Sequence, residues 1–185
     1  TKRRDDFNNQ TSYDAIVTIN DTAAELIRFV QKYREILKEN KIQTVGQPKA
    51  TTAIAPLVNA IAPLFPQVSI NTFLEPENIN MNIDADLLRH VIVNIIKNAA
   101  EAKATIIKIS ALENNNHITL KISNNGEQIP ATIAADIFTP FFTTKQTGTG
   151  IGLSLCRQII VNSGGTIRLL DKSEHNFTTT FEVKI

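Results

Sequence analysis

From Tyr13 to about Asn40 the apolar residues Ile16, Ile19, Ala23, Leu26, Val30, Tyr33 and Leu37 recur at alternating steps of three and four, with no Gly or Pro between them. That is the seam spacing of a helical hairpin or coiled coil. Ile27, Phe29 and Ile36 widen the stripe beyond a two-helix seam, which predicts a long helix in a bundle. The segment Lys41 to Thr52, with Gly46 and Pro48, reads as a linker. Beyond it the periods mix. A short helix is predicted over about Ile54 to Leu64, interrupted by Pro56 and bounded by Pro63 and Pro66. Gln67–Leu74 and Asn78–Ile83 read as strands separated by Glu75-Pro76, and Asp84 caps a strongly apolar helix running to about Lys103. Thr105–Leu112 and His117–Ser123 alternate apolar and polar positions around an Asn114-Asn115-Asn116 turn. A short helix near Ala131–Phe138, a Gly/Thr-rich loop and a helix from about Gly150 to Asn162 follow. Gly164-Gly165 ends that helix, and Thr166–Asp171 and Phe177–Ile185 read as closing strands. Strands and helices sharing one sheet, with hairpins, predict a two-layer α/β sandwich.

Composition narrows the function classes. The chain has 185 residues, 42% of them hydrophobic, which suffices for a core, and a formal net charge of +1. That balance offers no global electrostatic attraction for nucleic acid or a membrane surface. No run reaches the ~18–20 apolar residues of a membrane span. The opening Thr-Lys-Arg-Arg carries neither an initiator Met nor a signal-peptide pattern, so the expectation is a fragment of something longer. A single cysteine, Cys156, excludes an intrachain disulfide, fits a reducing compartment and sits in an apolar helical stretch suited to inert packing.

Three features carry chemistry. His90, Asn94 and Asn98 lie four apart and form one polar stripe on a helix otherwise filled by Leu87, Leu88, Val91, Ile92, Ile95 and Ile96. Unpaired polar groups in a core cost ~1–3 kcal/mol each, so such a stripe faces partners or a cavity. An amide oxygen there can ligate Mg²⁺, a hard cation that favours oxygen; two satisfied structural asparagines would give the same pattern. The run Ser123-Asn124-Asn125-Gly126-Glu127-Gln128-Ile129-Pro130 follows a strand, where a carbonyl acceptor and a glycine can read the amino edge of adenine, or simply form an Asn-Gly turn. Finally, Gly148-Thr149-Gly150-Ile151-Gly152-Leu153 opens a helix whose unpaired N–H groups can hold phosphate oxygens. It lacks the Gly-Lys-Ser/Thr of a P-loop, and Leu153 stands where the last glycine of a dinucleotide fingerprint would be. A structural glycine turn is the plainer reading.

The order of these features is more specific than any one of them. His90-xxx-Asn94-xxx-Asn98-Ala99 resembles the N box of sensor histidine kinases, Asn124-Asn125-Gly126 their first glycine box, Phe138-xx-Phe141-Phe142 their F box, and Gly148-x-Gly150-x-Gly152-Leu153 their second glycine box. All four occur in that family's order across roughly residues 50–185. Leu26-Ile27-Arg28-Phe29-Val30 leading into Tyr33-Arg34 is similar to the second helix of the family's dimerisation hairpin. The resemblance implies a Bergerat ATP-binding fold, with a mixed sheet of about five strands covered on one face by three helices. It implies residues 1–45 as a partial dimerisation region, with its hairpin helix over about 13–40, and residues 46–185 as the catalytic domain. It also implies ATP and Mg²⁺, with Asn98 ligating the metal and Asn94 beside the phosphates. Asn124 takes the place of the adenine-reading aspartate, and Gly126 admits the base. Gly148, Thr149, Gly150, Ile151, Gly152 and Leu153 cradle the phosphates. Lys145 in the lid and Thr180 near the adenine complete the set, although Lys145 reads equally as a solvated loop lysine. Only Thr143 to Thr147 separate the F box from the glycines, a short lid similar to the nitrogen-regulator-like branch. The partners implied are the phosphoacceptor hairpin of the same kinase, a response-regulator receiver domain and a second copy in a homodimer, with no nucleic acid. The location implied is cytoplasmic, within a sensor that membranes can anchor.

Two departures qualify this reading. The usual Asp-x-Gly-x-Gly is Asn124-x-Gly126-x-Gln128 here; the amide keeps an oxygen acceptor but loses the charge and can turn to present its NH₂. No histidine fits a phosphoacceptor box, since His90 belongs to the N box while His117 and His175 lie in or beside strand turns. The expectation is therefore ATP binding without autophosphorylation by this chain alone. Three alternatives remain: a hydrolysing ATPase of the same superfamily, an anti-sigma-type serine kinase, and a non-catalytic nucleotide-binding scaffold. The hydrolysing enzymes place a Glu four residues before the metal Asn, where this chain has Asn94.

Overall fold

The computed structural model describes Val17, Asn20, Ala23, Ile27, Gln31 and residues 51–185, apart from 115, 116, 146, 147 and 172–175. The chain divides into two compact units, one of Thr1–Gln47 with Phe141–Ile151, the other of Pro48–Pro140 with Gly152–Ile185. In the first unit, the five described residues of the N-terminal stretch are helical and exposed. Most of the three-and-four stripe read from the sequence lies outside the described residues.

The second unit holds the α/β structure. Its elements in chain order are β1 (Thr52–Ala53), α1 (Ile54–Ile61), a 3₁₀ turn (Ala62–Leu64), β2 (Ser69–Glu75), β3 (Asn80–Met81), α2 (Ala85–Glu101), β4 (Ile106–Asn114), β5 (His117–Asn124), α3 (Gly152–Asn162), β6 (Thr166–Leu169) and β7 (Thr179–Lys184). Five strands form one sheet in the order β2-β4-β5-β7-β6. β2 and β4 are parallel, and the remaining neighbours are antiparallel. A parallel pair needs a crossover, and α2 provides it.

The two-layer sandwich expected from the sequence, a mixed five-stranded sheet with three helices, is the observed architecture. Alternation along the strands puts Ile107, Ile109, Ala111, Leu120, Ile122, Phe181 and Val183 on one buried face. Leu88, Val91, Ile92, Ile95 and Ile96 of α2, with Leu155, Cys156, Ile159 and Ile160 of α3, complete the core. The other sheet face mixes charged residues with the exposed Phe73, Ile106 and Leu112. There Glu182, itself buried, accepts from Arg168 Nε at 2.8 Å and pairs with Lys184 Nζ at 3.3 Å. Burial pushes its carboxyl up, but the hydrogen bonds and charges of Arg168 and Lys184 outweigh that and hold it below the ordinary range.

Several local expectations change. Pro56 does not interrupt α1; it occupies the first turn, where no backbone N–H has an intrahelical acceptor to lose. The strand expected over Asn78–Ile83 shrinks to Asn80–Met81 and pairs antiparallel with β1, a strand too short to leave a sequence period. The helix expected near Ala131–Phe138 is instead a succession of three-residue turns, Ile133 N to Pro130 O (3.1 Å), Asp136 N to Ile133 O (2.9 Å) and Thr139 N to Asp136 O (2.8 Å). Asp84 caps α2 as expected, accepting from the N–H groups of Asp86 (2.8 Å) and Leu87 (3.2 Å).

Candidate nucleotide site

α2 supplies the polar stripe. Asn94 and Asn98 are half-buried and one helical turn apart, so both project from the same face. Asn94 Nδ2 donates to the carbonyl of His90 at 3.1 Å, which fixes the amide and commits its donor end to the helix. Its acceptor end meets the start of α3: a β-carbon on Gly152 would stand 3.0 Å from Asn94 Oδ1. The N-terminal turn of α3 therefore starts beside an amide oxygen on α2. Gly152 and Leu153 are the glycine-box residues that lie in the helix.

The loop after β5 is held from both sides. Asn125 Oδ1 accepts from the N–H groups of Thr105 and Ile106, each at 2.9 Å, and its Nδ2 donates to Thr105 Oγ1 at 3.0 Å. Glu127 N donates to Ala102 O at 2.7 Å, and Lys103 Nζ reaches Glu127 Oε1 at 2.6 Å. That contact lowers the Glu127 carboxyl and raises the Lys103 amine, first through the hydrogen bond and then through charge. On the β7 side, Thr178 Oγ1 donates within reach of two carbonyls, Gly126 O at 2.5 Å and Asn124 O at 3.1 Å, while Thr178 N donates to Asn124 O at 2.9 Å. The expectation for Gly126 was room for a base. Its bare α-carbon lies against protein backbone, where a β-carbon would stand 2.5 Å from Ala102 O and 3.0 Å from Ala104 N.

Thr180 was expected near the adenine. The β5–β7 register sets it opposite Ser123, and its hydroxyl donates to Ser123 Oγ at 2.9 Å on the face away from Asn124. Thr179 is the residue opposite Asn124, on the same face, and its buried hydroxyl has no hydrogen-bond partner among the described residues. Sequence reading missed it because two adjacent threonines in a strand differ only in which face they take, and register decides that. Beneath them Phe138 packs edge-on against Phe181, with ring centroids 6.2 Å apart.

The segment Phe141–Ile151, within the first unit, has its own order. Phe141 N donates to Gly150 O at 3.0 Å, and both residues have positive φ, 67° in each case. A side chain on Gly150 would collide with the Phe141 backbone as well. Lys145 is exposed; its N–H donates to Thr143 Oγ1 at 3.1 Å, and Gly148 N donates to Lys145 O at 3.4 Å. Thr149 is half-buried and Ile151 buried. The helix was expected from Gly150, but left-handed backbone cannot join an α-helix, so α3 starts at Gly152. Gly148, Thr149, Gly150 and Ile151 thus belong to the loop that precedes it.

Comparison with known proteins gives the class. Residues 83–185 match the family profile described as "Histidine kinase-, DNA gyrase B-, and HSP90-like ATPase", and the chain belongs to that family. Its relatives include proteins named sensor histidine kinases and sporulation kinases. It is 33% identical over 152 residues to sporulation kinase A of Bacillus subtilis (strain 168), covering 79% of this chain and 24% of that protein. With sporulation kinase C of the same organism it shares 32% identity over 113 residues, 60% of this chain and 26% of that one. Among solved structures, the nucleotide-free catalytic domain of histidine kinase ThkA superposes with a TM-score of 0.65 at 29% identity, over 74% of this chain and 93% of that domain. The chain therefore carries the ATP-binding domain of the histidine-kinase kind and spans about a quarter of the length of its curated relatives.

Proposed function

We propose that the chain is the catalytic part of a two-component sensor histidine kinase, moving the γ-phosphoryl group of ATP to a histidine on a helical hairpin for onward transfer to a response-regulator aspartate. The observation that carries this reading is the meeting of Asn94 Oδ1 with the bare α-carbon of Gly152, which sets an amide-bearing helix against the N-terminus of its neighbour. A helix N-terminus favours anionic phosphate, and amide oxygens favour a hard cation. The residues fit Mg-ATP. Asn98 would hold the magnesium ion, and Asn94, Gly152 and Leu153 would lie along the phosphates. Asn124 and Thr179, whose buried hydroxyl lacks a partner among the described residues, would face the base.

When bound, magnesium would neutralise charge on the phosphate oxygens. The chain's own residues orient the nucleotide, in keeping with a loose phosphoryl-transfer transition state in which positioning and charge stabilisation dominate. A neutral imidazole is a competent nucleophile, so transfer to histidine needs no strong base in this domain. Hydrolysis does need one to activate water. Asn94 stands where the hydrolysing relatives carry Glu, and a carboxamide already donating to the His90 carbonyl cannot take a proton. This favours the kinase over the ATPase.

Residues 1–45, with a helix over about 13–40, would be part of the dimerisation hairpin, and 46–185 the catalytic domain, in a homodimer. No helix among the described residues is long and apolar enough to cross a membrane, and we place the domain on the cytoplasmic side. The test is incubation with γ-labelled ATP and a dimerisation hairpin carrying an acceptor histidine, followed by a receiver domain. Label on the histidine, chased to the aspartate, is the expected result; ATP bound with no label transferred would reject the kinase reading.

A further inference from the structure

The base-reading end of the site is built from two side chains that can each reverse their hydrogen-bonding sense. Asn124 and Thr179 face one another across the β5–β7 ladder, on the same side of the sheet. The backbone acceptors around them are occupied: Thr178 takes the carbonyls of both Asn124 and Gly126. Thr179 Oγ1 is buried and has no partner among the described residues. A carboxamide presents an acceptor at one end and donors at the other, and a hydroxyl donates or accepts by rotation. A carboxylate at Asn124 could only accept.

The two purine classes differ at this edge. A 6-aminopurine offers a donor at N6 and an acceptor at N1; a 6-oxopurine offers an acceptor at O6 and a donor at N1. We infer that the Asn124 carboxamide and the Thr179 hydroxyl together admit 6-oxopurine as well as 6-aminopurine nucleoside triphosphates, the amide turning over so that its oxygen and nitrogen exchange places and the hydroxyl rotating its hydrogen. For the amino form Asn124 Oδ1 accepts from N6, and for the oxo form Asn124 Nδ2 donates to O6. Thr179 Oγ1 meets N1 as a donor in the first case and as an acceptor in the second. The inference rests on the proposed nucleotide reading and adds the class of base.

The probe is Mg-ITP, whose base matches adenine in shape but carries O6 and a protonated N1, compared with Mg-ATP by calorimetric titration of the whole chain. Affinities within about tenfold of each other are expected, because neither base leaves a buried polar group unpaired. In Asn124→Asp the preference for ATP over ITP should rise by at least about tenfold, since the carboxylate cannot donate to O6. Asn124→Ala should weaken both nucleotides, and Thr179→Val should do so more mildly. ATP binding with ITP rejected more than about a hundredfold by the native chain would overturn the inference. So would an ATP/ITP ratio unmoved by Asn124→Asp, or an Asn124→Ala variant that loses ATP alone. Should Asn124→Asp fail to fold, the native ratio and the alanine variant decide. Failure of the native chain to bind either nucleotide would instead remove the nucleotide reading itself, and this inference with it.

Discussion

Asn94 Oδ1 lies 3.0 Å from the point a β-carbon on Gly152 would occupy, and the same amide donates through Nδ2 to the carbonyl of His90 at 3.1 Å. The glycine therefore sets how closely α3 begins to the polar stripe of α2, and a methyl group there would push the Asn94 amide by a few tenths of an ångström. Gly152→Ala should weaken Mg-ATP binding by about tenfold, one misplaced hydrogen-bonding group, while the melting temperature stays within a few degrees. Calorimetric titration beside a thermal melt checks both halves. Unchanged affinity would detach Asn94 from the nucleotide.

Gly126 makes the opposite prediction. Its neighbours are backbone atoms, Ala102 O and Ala104 N, which cannot swing aside as a side chain can. Gly126→Ala should cost about 1–3 kcal/mol of stability, the usual penalty of overpacking, visible as a lowered urea midpoint before any ligand is added. Thr178→Val, which removes the hydroxyl contacts to Gly126 and Asn124, should cost about 1 kcal/mol in the same assay.

Asn98 is the proposed metal ligand. Asn98→Ala should lower nucleotide affinity measured with magnesium by about tenfold or more and leave affinity measured in EDTA little changed, because the lost group acts through the cation. Equal losses in both buffers would argue for direct contact with the nucleotide.

Glu182 governs acid sensitivity on the sheet face opposite the core. Its folded carboxyl sits below the ordinary value because Arg168 and Lys184 outweigh the opposing effect of burial. A depressed folded pKa stabilises above the unfolded carboxylate pKa of about 4.3, and that contribution disappears as pH falls through the folded value. Stability should therefore decline below about pH 4 in the native chain, and Glu182→Gln should flatten that decline. Denaturation midpoints from pH 7 to 3 give the comparison.

Cys156 is fully buried in α3, and burial pushes its thiol up to about 12. At pH 8 a thiol-specific reagent should label it only at the rate at which the domain opens, and rapidly in denaturant. Fast labelling under native conditions would show that α3 separates from the core.

Much of the catalytic unit was legible in the chain itself. The 3.6-residue period of α2, the alternation of β4 and β5, the Asp84 cap and the Gly164-Gly165 stop are local signals, and each produced the expected element because burial of one face enforces the pattern that encodes it. The glycine-box and asparagine positions were legible too, since the four-residue step on a helix and a glycine run before one are geometric statements in one dimension. What only the tertiary structure decided was which partner each residue meets. Thr179, not Thr180, faces Asn124 because strand register assigns sheet faces and a shift of one residue exchanges them. Gly126 meets the carbonyl of Ala102, a residue 24 positions earlier, where a β-carbon would collide. Gly152, not Gly150, starts α3 because Gly150 turns left-handed to meet Phe141. In each case the deciding contact is long-range or conformational, and no local period carries it.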